Sequence, residues 1–466
     1  MIKFGTGGFR GVIGDTFTRE NIERIAEALV FIANEEGKSA SPIAVGYDRR
    51  FMSETAANWF AEVLLSRGID VILCDRAIPT PAVMFTVSDQ KLYYGAMITA
   101  SHNPYYFNGI KIFTEGGVDA NEEFTKHIEN IINKRDNVFK DLKSCERLGE
   151  IERENFLEKY LAFIRSFLSD RLLGNKVGIL YDAIHGVGAE SIFSLAQYYR
   201  FCNFTMVRGD RDAFFGGSLP NPTNEIMQEI YNRYRSSSFD YIMATDSDAD
   251  RLGIVDEYGN IVDSNEILGI IYYYLHKYRQ EKGGVVKNCA TSLLLDKLAE
   301  KFGEKCYEVD VGFKNISQKM KDTDALVGGE SSGGLTVRGY IHGKDSVFSS
   351  MLFAEIVSVL GKPVSQIVRE VREFAGYSLC TKESVLEVDS LSNAERILRK
   401  IHPDFKQPIK QEKFFGRNYK YEFENGWALM RLSGTEPVLR LFVETESESQ
   451  AENIMCQMKS LLKENA

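Results

Sequence analysis

The feature that most restricts this chain is one unit written three times: a short apolar strand, a turn of Ser, Thr or Gly, an amphipathic helix and a second strand. It first reads PIAVGYD (42–48), a helix over 54–67, Gly68 and DVILCD (70–75). It returns as KVGILYD (176–182), a turn at 186–188, a helix through Ala196 and FTMVRGD (204–210). The third copy is GVVKN (284–288), Thr291 and Ser292, a helix through Lys301, Gly303 and KCYEVDVG (305–312). Strands alternating with helices of this length specify α/β layers, where a Gly after the helix suits a left-handed C-cap. Three copies predict three related α/β domains built by duplication. From Tyr377 the pattern changes to strands SLCTKESVLEV, KYEFEN, WALMRLS and VLRLFVETE, with helices SLSNAERILRKIH and SQAENIMCQMKSLLKEN. That pattern predicts a smaller α+β domain. The expected division is 1–152, 153–258, 259–372 and 373–466.

Length and charge limit what those domains do. The 466 residues, 44% of them apolar, can bury several separate cores. Fifty-six Lys and Arg against 66 Asp and Glu leave a net charge of −10, which argues against nucleic acid as a partner. An anionic small substrate stays open, because a few placed cations reverse the field inside one cleft. No apolar run reaches the roughly 20 residues that span a bilayer, and MIKFGTGGFR lacks a signal-peptide core, so no membrane partner is expected. Seven scattered Cys without a CxxC pair read as reduced thiols, and the expected compartment is the cytoplasm.

Chemistry is concentrated in four loops. Thr99-Ala-Ser-His-Asn-Pro104 follows the apolar strand YYGAMI, with Asn108-Gly-Ile-Lys111 close behind. Ser101 at a strand end, beside His102 and near Lys111, is a candidate nucleophile. The plain alternative is an Asn-Pro turn. Asp246-Ser-Asp-Ala-Asp-Arg251 follows FDYIMAT, and three alternating carboxylates can converge on one hard cation. An EF-hand is excluded, since Arg251 stands where its turn needs Gly and a strand precedes the loop. A solvated acidic turn is the alternative. Val327-Gly-Gly-Glu-Ser-Ser-Gly-Gly334, continuing through Arg338 to Asp345, surrounds Glu330 with glycines that admit a ligand, or forms a plain flexible loop. Arg431-Leu-Ser-Gly-Thr-Glu-Pro437 is an anion nest or a hairpin turn. The Gly-rich segment 5–11 lacks the preceding strand of a dinucleotide fingerprint, although its backbone and Arg10 can cradle a phosphate. No GxxxxGK[ST] motif occurs, and His127, His276 and His402 are expected on ordinary surfaces.

In this order, GTGGFRG (5–11), TASHNP with NGIK (99–111), DSDADR (246–251), GGESSGG with HGKD (328–345) and RLSGTEP (431–437) closely resemble the α-D-phosphohexomutase family. The resemblance covers all four inferred domains. It implies three related α/β domains with mixed sheets and a smaller C-terminal α+β domain around a central cleft. It further implies an intramolecular phosphotransferase that interconverts hexose 1-phosphate and hexose 6-phosphate through a phosphoserine enzyme and a bisphosphate intermediate.

By that resemblance Ser101 carries the phosphoryl group, and Asp246, Asp248 and Asp250 hold Mg²⁺ together with a phosphoserine oxygen. Arg10 and Arg251 lie near the phosphoserine. Lys111 and His342 are the candidates for moving the hydroxyl proton, Lys111 ahead of His342, while His102 orients the serine loop or takes part itself. Glu330 and Ser332 read sugar hydroxyls, Lys314 belongs to the sugar-choosing loop, and Arg431, Ser433, Gly434 and Thr435 grip the non-reacting phosphate. A hexose 1,6-bisphosphate is the expected activator. Two departures stand out. Ser247 replaces the Gly or Pro of many relatives, at a position expected to contribute backbone alone. Val309 and Asp310 replace a common Thr and Pro before the Gly-Phe-Lys of 312–314. The GGESSGG form points to glucose phosphate, ahead of mannose phosphate and then glucosamine phosphate. A silent sugar-phosphate-binding relative is the non-enzymatic alternative, and a monomer or homodimer is expected.

Overall fold

A computed structural model describes residues 2–5, 8–134, 147–388, 390–399, 403, 405–432 and 438–464. They form two compact units, Met1–Ile267 with Ser332–Val368, and Leu268–Ser331 with Arg369–Ala466.

The first unit holds two sheets. In the larger, Tyr94–Ile98, Ile43–Tyr47, Val71–Cys74 and Ile151–Glu154 run parallel, each beside the next. Tyr94–Ile98 then pairs antiparallel with Phe107–Thr114, which pairs antiparallel with Gly8–Val12. Every residue of Ile43–Tyr47 and Tyr94–Ile98 is buried, which is why these strands read as unbroken apolar runs; helices Arg19–Glu35, Ser53–Ser66 and Thr80–Asp89 contribute matching buried faces. The second sheet orders Phe204–Val207, Ile179–Asp182, Tyr241–Thr245, Leu252–Val255 and Ile261–Val262, parallel over the first three and antiparallel beyond. Helices Gly188–Tyr198 and Asn224–Tyr234 accompany it, the latter capped by the Thr223 hydroxyl.

The second unit repeats the theme. Cys306–Val309, Val285–Asn288 and Val327–Gly329 are parallel neighbours with helices Leu294–Phe302 and Phe313–Thr323. Gly303 ends the first of these helices at φ 71°, the left-handed cap that its position in the repeat predicts. The tail forms a fully antiparallel sheet ordered Cys380–Glu387, Val438–Thr445, Gly426–Leu432, Asn418–Glu422 and Gln411–Phe415, with helices Leu391–Leu398 and Glu448–Glu464.

Sequence patterning missed the edge strand Gln411–Phe415, whose side chains are mostly exposed and give no apolar alternation. Nor did patterning show the short strands Phe4–Gly5 and Gly8–Val12 of the Gly-rich N-terminus, which pair with each other and carry Arg10 into the sheet. Among the described residues no single helix is long and apolar enough to cross a membrane. His127 is exposed and His276 stacks on Phe302 with ring centres 3.9 Å apart, while His402 lies outside the described residues.

Candidate active site

Strand ends create the site. Tyr94–Ile98 and Tyr241–Thr245 are the buried strands that deliver the serine loop and the acid loop of the first unit. Ser101 sits at φ 52°, a left-handed conformation that residues with a β-carbon rarely adopt. Its N–H donates to Thr99 Oγ1 at 2.8 Å. Its Oγ donates to Asp246 Oδ2 at 3.3 Å and lies 3.3 Å from His102 Nδ1. Burial, then the Arg251 and Arg10 guanidiniums, hold the His102 pKa well below its usual range, so the imidazole is neutral near pH 7.

The acid loop turns back at Ala249, φ 57°, so that Asp246 Oδ1 accepts the N–H groups of Asp250 and Arg251 at 2.8 and 3.0 Å. One carboxylate oxygen from each of Asp246, Asp248 and Asp250 lies within 4.8 Å of the others, all buried. Lys111 Nζ bridges Asp248 Oδ2 at 2.7 Å and Asp250 Oδ2 at 2.9 Å. Lys344 reaches Asp250 Oδ2 at 3.1 Å, and Arg251 Nε approaches Asp250 Oδ1 at 3.9 Å. Burial works against the Lys111 charge, but Asp248 and Asp250 outweigh it and raise its pKa. Asp246 is pushed up by burial and then by the Asp250 and Asp248 charges, so three carboxylates crowd a space that resists full ionisation. Asp248 Oδ1 and Asp250 Oδ1 are buried without a hydrogen-bond partner. Three buried carboxylates within 4.8 Å of one another, two of them with an oxygen that makes no hydrogen bond, fit a hard divalent cation.

Arg10 reaches the same loop from the neighbouring strand, donating to Asn103 Oδ1 at 2.6 Å. Its burial beside Arg251 lowers its pKa, the mark of cations gathered in a poorly solvated place that favours an anion. His342 is two residues before Lys344 on the loop that ends at the helix Ser346–Leu360, and Ser332 also belongs to this unit.

In the second unit, Glu330 follows Val327–Gly329 and accepts from Asn288 Nδ2 at 3.2 Å. Asn288 is the last residue of its strand and Asp48 the first after Ile43–Tyr47, and each hydrogen-bonds the loop that follows a neighbouring parallel strand. Lys314 lies in the first turn of helix Phe313–Thr323. Asp310, one of the two departures, accepts from Asn418 Nδ2 at 2.6 Å, and Asn418 is the cross-strand partner of Arg431. Burial and Arg440 lower the Arg431 pKa against an opposing pull from Glu330. Ser433, Gly434 and Thr435 lie outside the described residues.

Sequence reading missed four contributors. Thr80 donates to Asp248 Oδ2 at 2.7 Å, and its only signal is the Pro-Thr-Pro that begins a helix. Lys344 was visible in HGKD but without a partner. Asp48 and Arg50 carry no motif of their own. Ser247 corrects an expectation: its hydroxyl donates to the Ser101 carbonyl and accepts from Arg50 at 3.2 Å, so it contributes more than backbone.

Known proteins carry the same arrangement of sequence. Family models match in order: phosphoglucomutase/phosphomannomutase alpha/beta/alpha domain I over 1–139, domain II over 158–259, domain III over 263–374 and the C-terminal domain over 387–460. A phosphoglucomutase/phosphomannomutase of Thermococcus kodakarensis is 29% identical over 96% of this chain and 95% of its own. A phosphoglucosamine mutase of Nautilia profundicola is 30% identical over 99% of both. The crystal structure of a phosphoglucomutase/phosphomannomutase family protein from Burkholderia thailandensis shares the fold, with a TM-score of 0.84 at 20% identity over 99% of this chain and 97% of that one. With three related α/β domains and a distinct C-terminal one, matched from end to end, the chain belongs to the phosphoglucomutase/phosphomannomutase family of phosphohexomutases, isomerases that move a phosphoryl group within one molecule.

Proposed function

We propose that this enzyme interconverts hexose 1-phosphate and hexose 6-phosphate through a phosphoryl group on Ser101, with glucose phosphate the preferred substrate. The observation that carries the reading is the Ser101 hydroxyl beside a buried carboxylate triad in which two oxygens make no hydrogen bond. In the first step a sugar hydroxyl oxygen attacks the phosphorus and the Ser101 Oγ–P bond breaks as the new O–P bond forms. Lys111 and His342 move the protons: Asp248 and Asp250 hold Lys111 charged, so its ammonium would donate the proton that Ser101 Oγ regains, and His342 would take up the one that the sugar hydroxyl loses. The bisphosphate then turns and the steps run in reverse from its other end, so no phosphate is lost to water.

Phosphoryl transfer is dominated by alignment and charge stabilisation. Asp246, Asp248 and Asp250 would hold Mg²⁺ with a phosphoserine oxygen, and the ion, when bound, neutralises the transferring oxygens. Arg10 and Arg251 stabilise the phosphoserine, with His102 orienting its loop. Glu330 and Ser332 read the hydroxyls, with Lys314 nearby in sequence to the altered loop. Arg431, Ser433, Gly434 and Thr435 grip the second phosphate, so remote binding energy serves the reaction. A hexose 1,6-bisphosphate charges Ser101 initially. The reading includes the domain limits at 152, 258 and 372, a cytoplasmic monomer or homodimer, and six unpaired cysteines among the described residues.

Glucose rests on the GGESSGG loop; the Nautilia relative keeps glucosamine phosphate as the competing reading. Side-by-side assays of glucose, mannose and glucosamine 1-phosphates decide between them, and a higher kcat/KM for either competitor overturns the glucose assignment. Ser101→Ala should abolish mutase activity, and intact-mass analysis of the wild type should show a fraction heavier by one phosphate. Substantial turnover by the Ala variant would remove Ser101 from the mechanism.

A further inference from the structure

Arg50 is wholly buried, yet nothing in the phosphoryl-transfer scheme uses its charge. Its terminal nitrogens are spent on the protein itself. Nη1 donates to the carbonyls of Pro104 at 2.9 Å and Phe107 at 3.2 Å. Nη2 donates to the carbonyls of Ser101 and Asn103 and to Ser247 Oγ. The guanidinium lies 5.0 Å from the Phe215 ring centre, and Nε is 3.3 Å from Asp48 Oδ2. One planar cation thus gathers four carbonyls of the serine loop and the turn after it, and touches the acid loop through Ser247. A guanidinium can do this because its donors diverge in a fixed fork; an ammonium is a point charge.

Asp48 completes the arrangement from the other side. It accepts from Ser53 Oγ at 2.6 Å, Thr99 Oγ1 at 2.7 Å and the Arg50 N–H at 3.0 Å. Thr99 Oγ1 in turn accepts the Ser101 N–H. Both peptide groups of Ser101 are therefore held, the N–H through Thr99 and Asp48, the carbonyl by Arg50 and Ser247. The residue so held is the one at φ 52°, a conformation that persists only where its surroundings over-determine it.

We propose that Arg50, anchored by Asp48 and assisted by Ser247, is a positioning residue that fixes the left-handed conformation of Ser101 and thereby aims its hydroxyl for phosphoryl exchange. The proposal rests on Ser101 being the phosphoryl carrier. It assigns a purpose to the Asp48-Arg-Arg50 turn, and it makes Ser247 a link between the serine and acid loops. Because Arg50 touches no reacting atom, its loss should slow the chemical steps and leave sugar-phosphate binding alone.

The test measures kcat, KM, thermal midpoint and the rate at which hexose 1,6-bisphosphate phosphorylates Ser101, read by intact mass and peptide mapping. Arg50→Lys should lower kcat and the phosphorylation rate by about 10²-fold, the scale of a misplacement near 1 Å, with KM within about threefold. Thr99→Val and Ser247→Ala each remove one hydroxyl, with the two hydrogen bonds it makes, and nearly keep the shape. Each should lower both rates roughly five- to tenfold at an unchanged KM and a nearly unchanged midpoint. A purely structural role would instead shift the midpoint and leave the phosphorylation rate of the folded fraction at the wild-type value. Should Arg50→Lys fail to fold, the Thr99 and Ser247 variants decide. Wild-type rates in both overturn the proposal while Ser101 phosphorylation of the wild type stands. A wild type that never takes phosphate on Ser101 overturns the functional reading, and this proposal with it.

Discussion

Removing the Lys111 ammonium should make the stability of the first unit depend on a divalent cation more strongly than it does in the wild type. Lys111 Nζ sits 2.7 and 2.9 Å from carboxylates of Asp248 and Asp250, with all three side chains buried. In Lys111→Met the apolar stem remains but the charge goes, leaving the three carboxylates with the Lys344 and Arg251 ion pairs, both made by Asp250. Breaking a buried pair by deleting one partner costs about 3–5 kcal/mol, because the other charge stays buried and uncompensated. For a unit of this size roughly 2 °C per kcal/mol applies, so the metal-free variant should melt about 6–10 °C below wild type. Mg²⁺ restores positive charge at the same oxygens, and a ligand at a hundred times its dissociation constant adds about 2.7 kcal/mol. Saturating Mg²⁺ should therefore recover roughly half to nine-tenths of the variant's loss relative to metal-free wild type. The assay is a thermal melt of both proteins with chelator and with saturating MgCl₂, comparing the transition that Mg²⁺ moves. Equal Mg²⁺-induced shifts in the two proteins would show that Lys111 does not share its electrostatic role with the cation. No shift in either would reduce the triad to a structural acid cluster.

Two further outcomes are expected. Glu330→Gln should lower kcat/KM for glucose and mannose 1-phosphates alike, roughly 10- to 150-fold for a lost charge-assisted hydrogen bond. A glucose-to-mannose ratio that changes more than tenfold would mean that Glu330 reads carbon 2. Asp345 caps the helix Ser346–Leu360 and accepts from Tyr160 and Tyr340, each at 2.7 Å, while burial pushes its pKa up to about 6 from 3.8. Between those values the folded protein keeps a proton that the unfolded chain has released. Its contribution is full below 3.8 and is lost as pH rises toward 6, by about 3 kcal/mol in all. Asp345→Asn keeps a good cap and should flatten that part of the profile; denaturant midpoints at several pH values between 4 and 7 check it, and parallel profiles for the two proteins would refute it.

The repeat of buried strand and amphipathic helix was legible because parallel strands covered on both faces must be apolar throughout, as Ile43–Tyr47 and Tyr94–Ile98 are. The serine and acid loops were legible for a chemical reason: few stretches place a hydroxyl or three alternating carboxylates just past such a strand. Their residues are local in sequence, so one window contains them. The exposed edge strand Gln411–Phe415 escaped because it has no core face to impose a period. What tertiary structure alone decided was convergence. Ser101 and Asp246 are 145 residues apart and meet at 3.3 Å, and Thr80 and Lys111 reach Asp248 from two other elements. Arg50 and Ser247 read as an ordinary turn cation and an ordinary turn hydroxyl, and periodicity carries no record of which carbonyl a buried guanidinium will find. Sequence determined which groups this protein owns and where its strands end, because burial imposes patterns on neighbours along the chain. The partners of those groups were set by the packing of distant strand ends against one another, and pairing across such separations leaves no local signature.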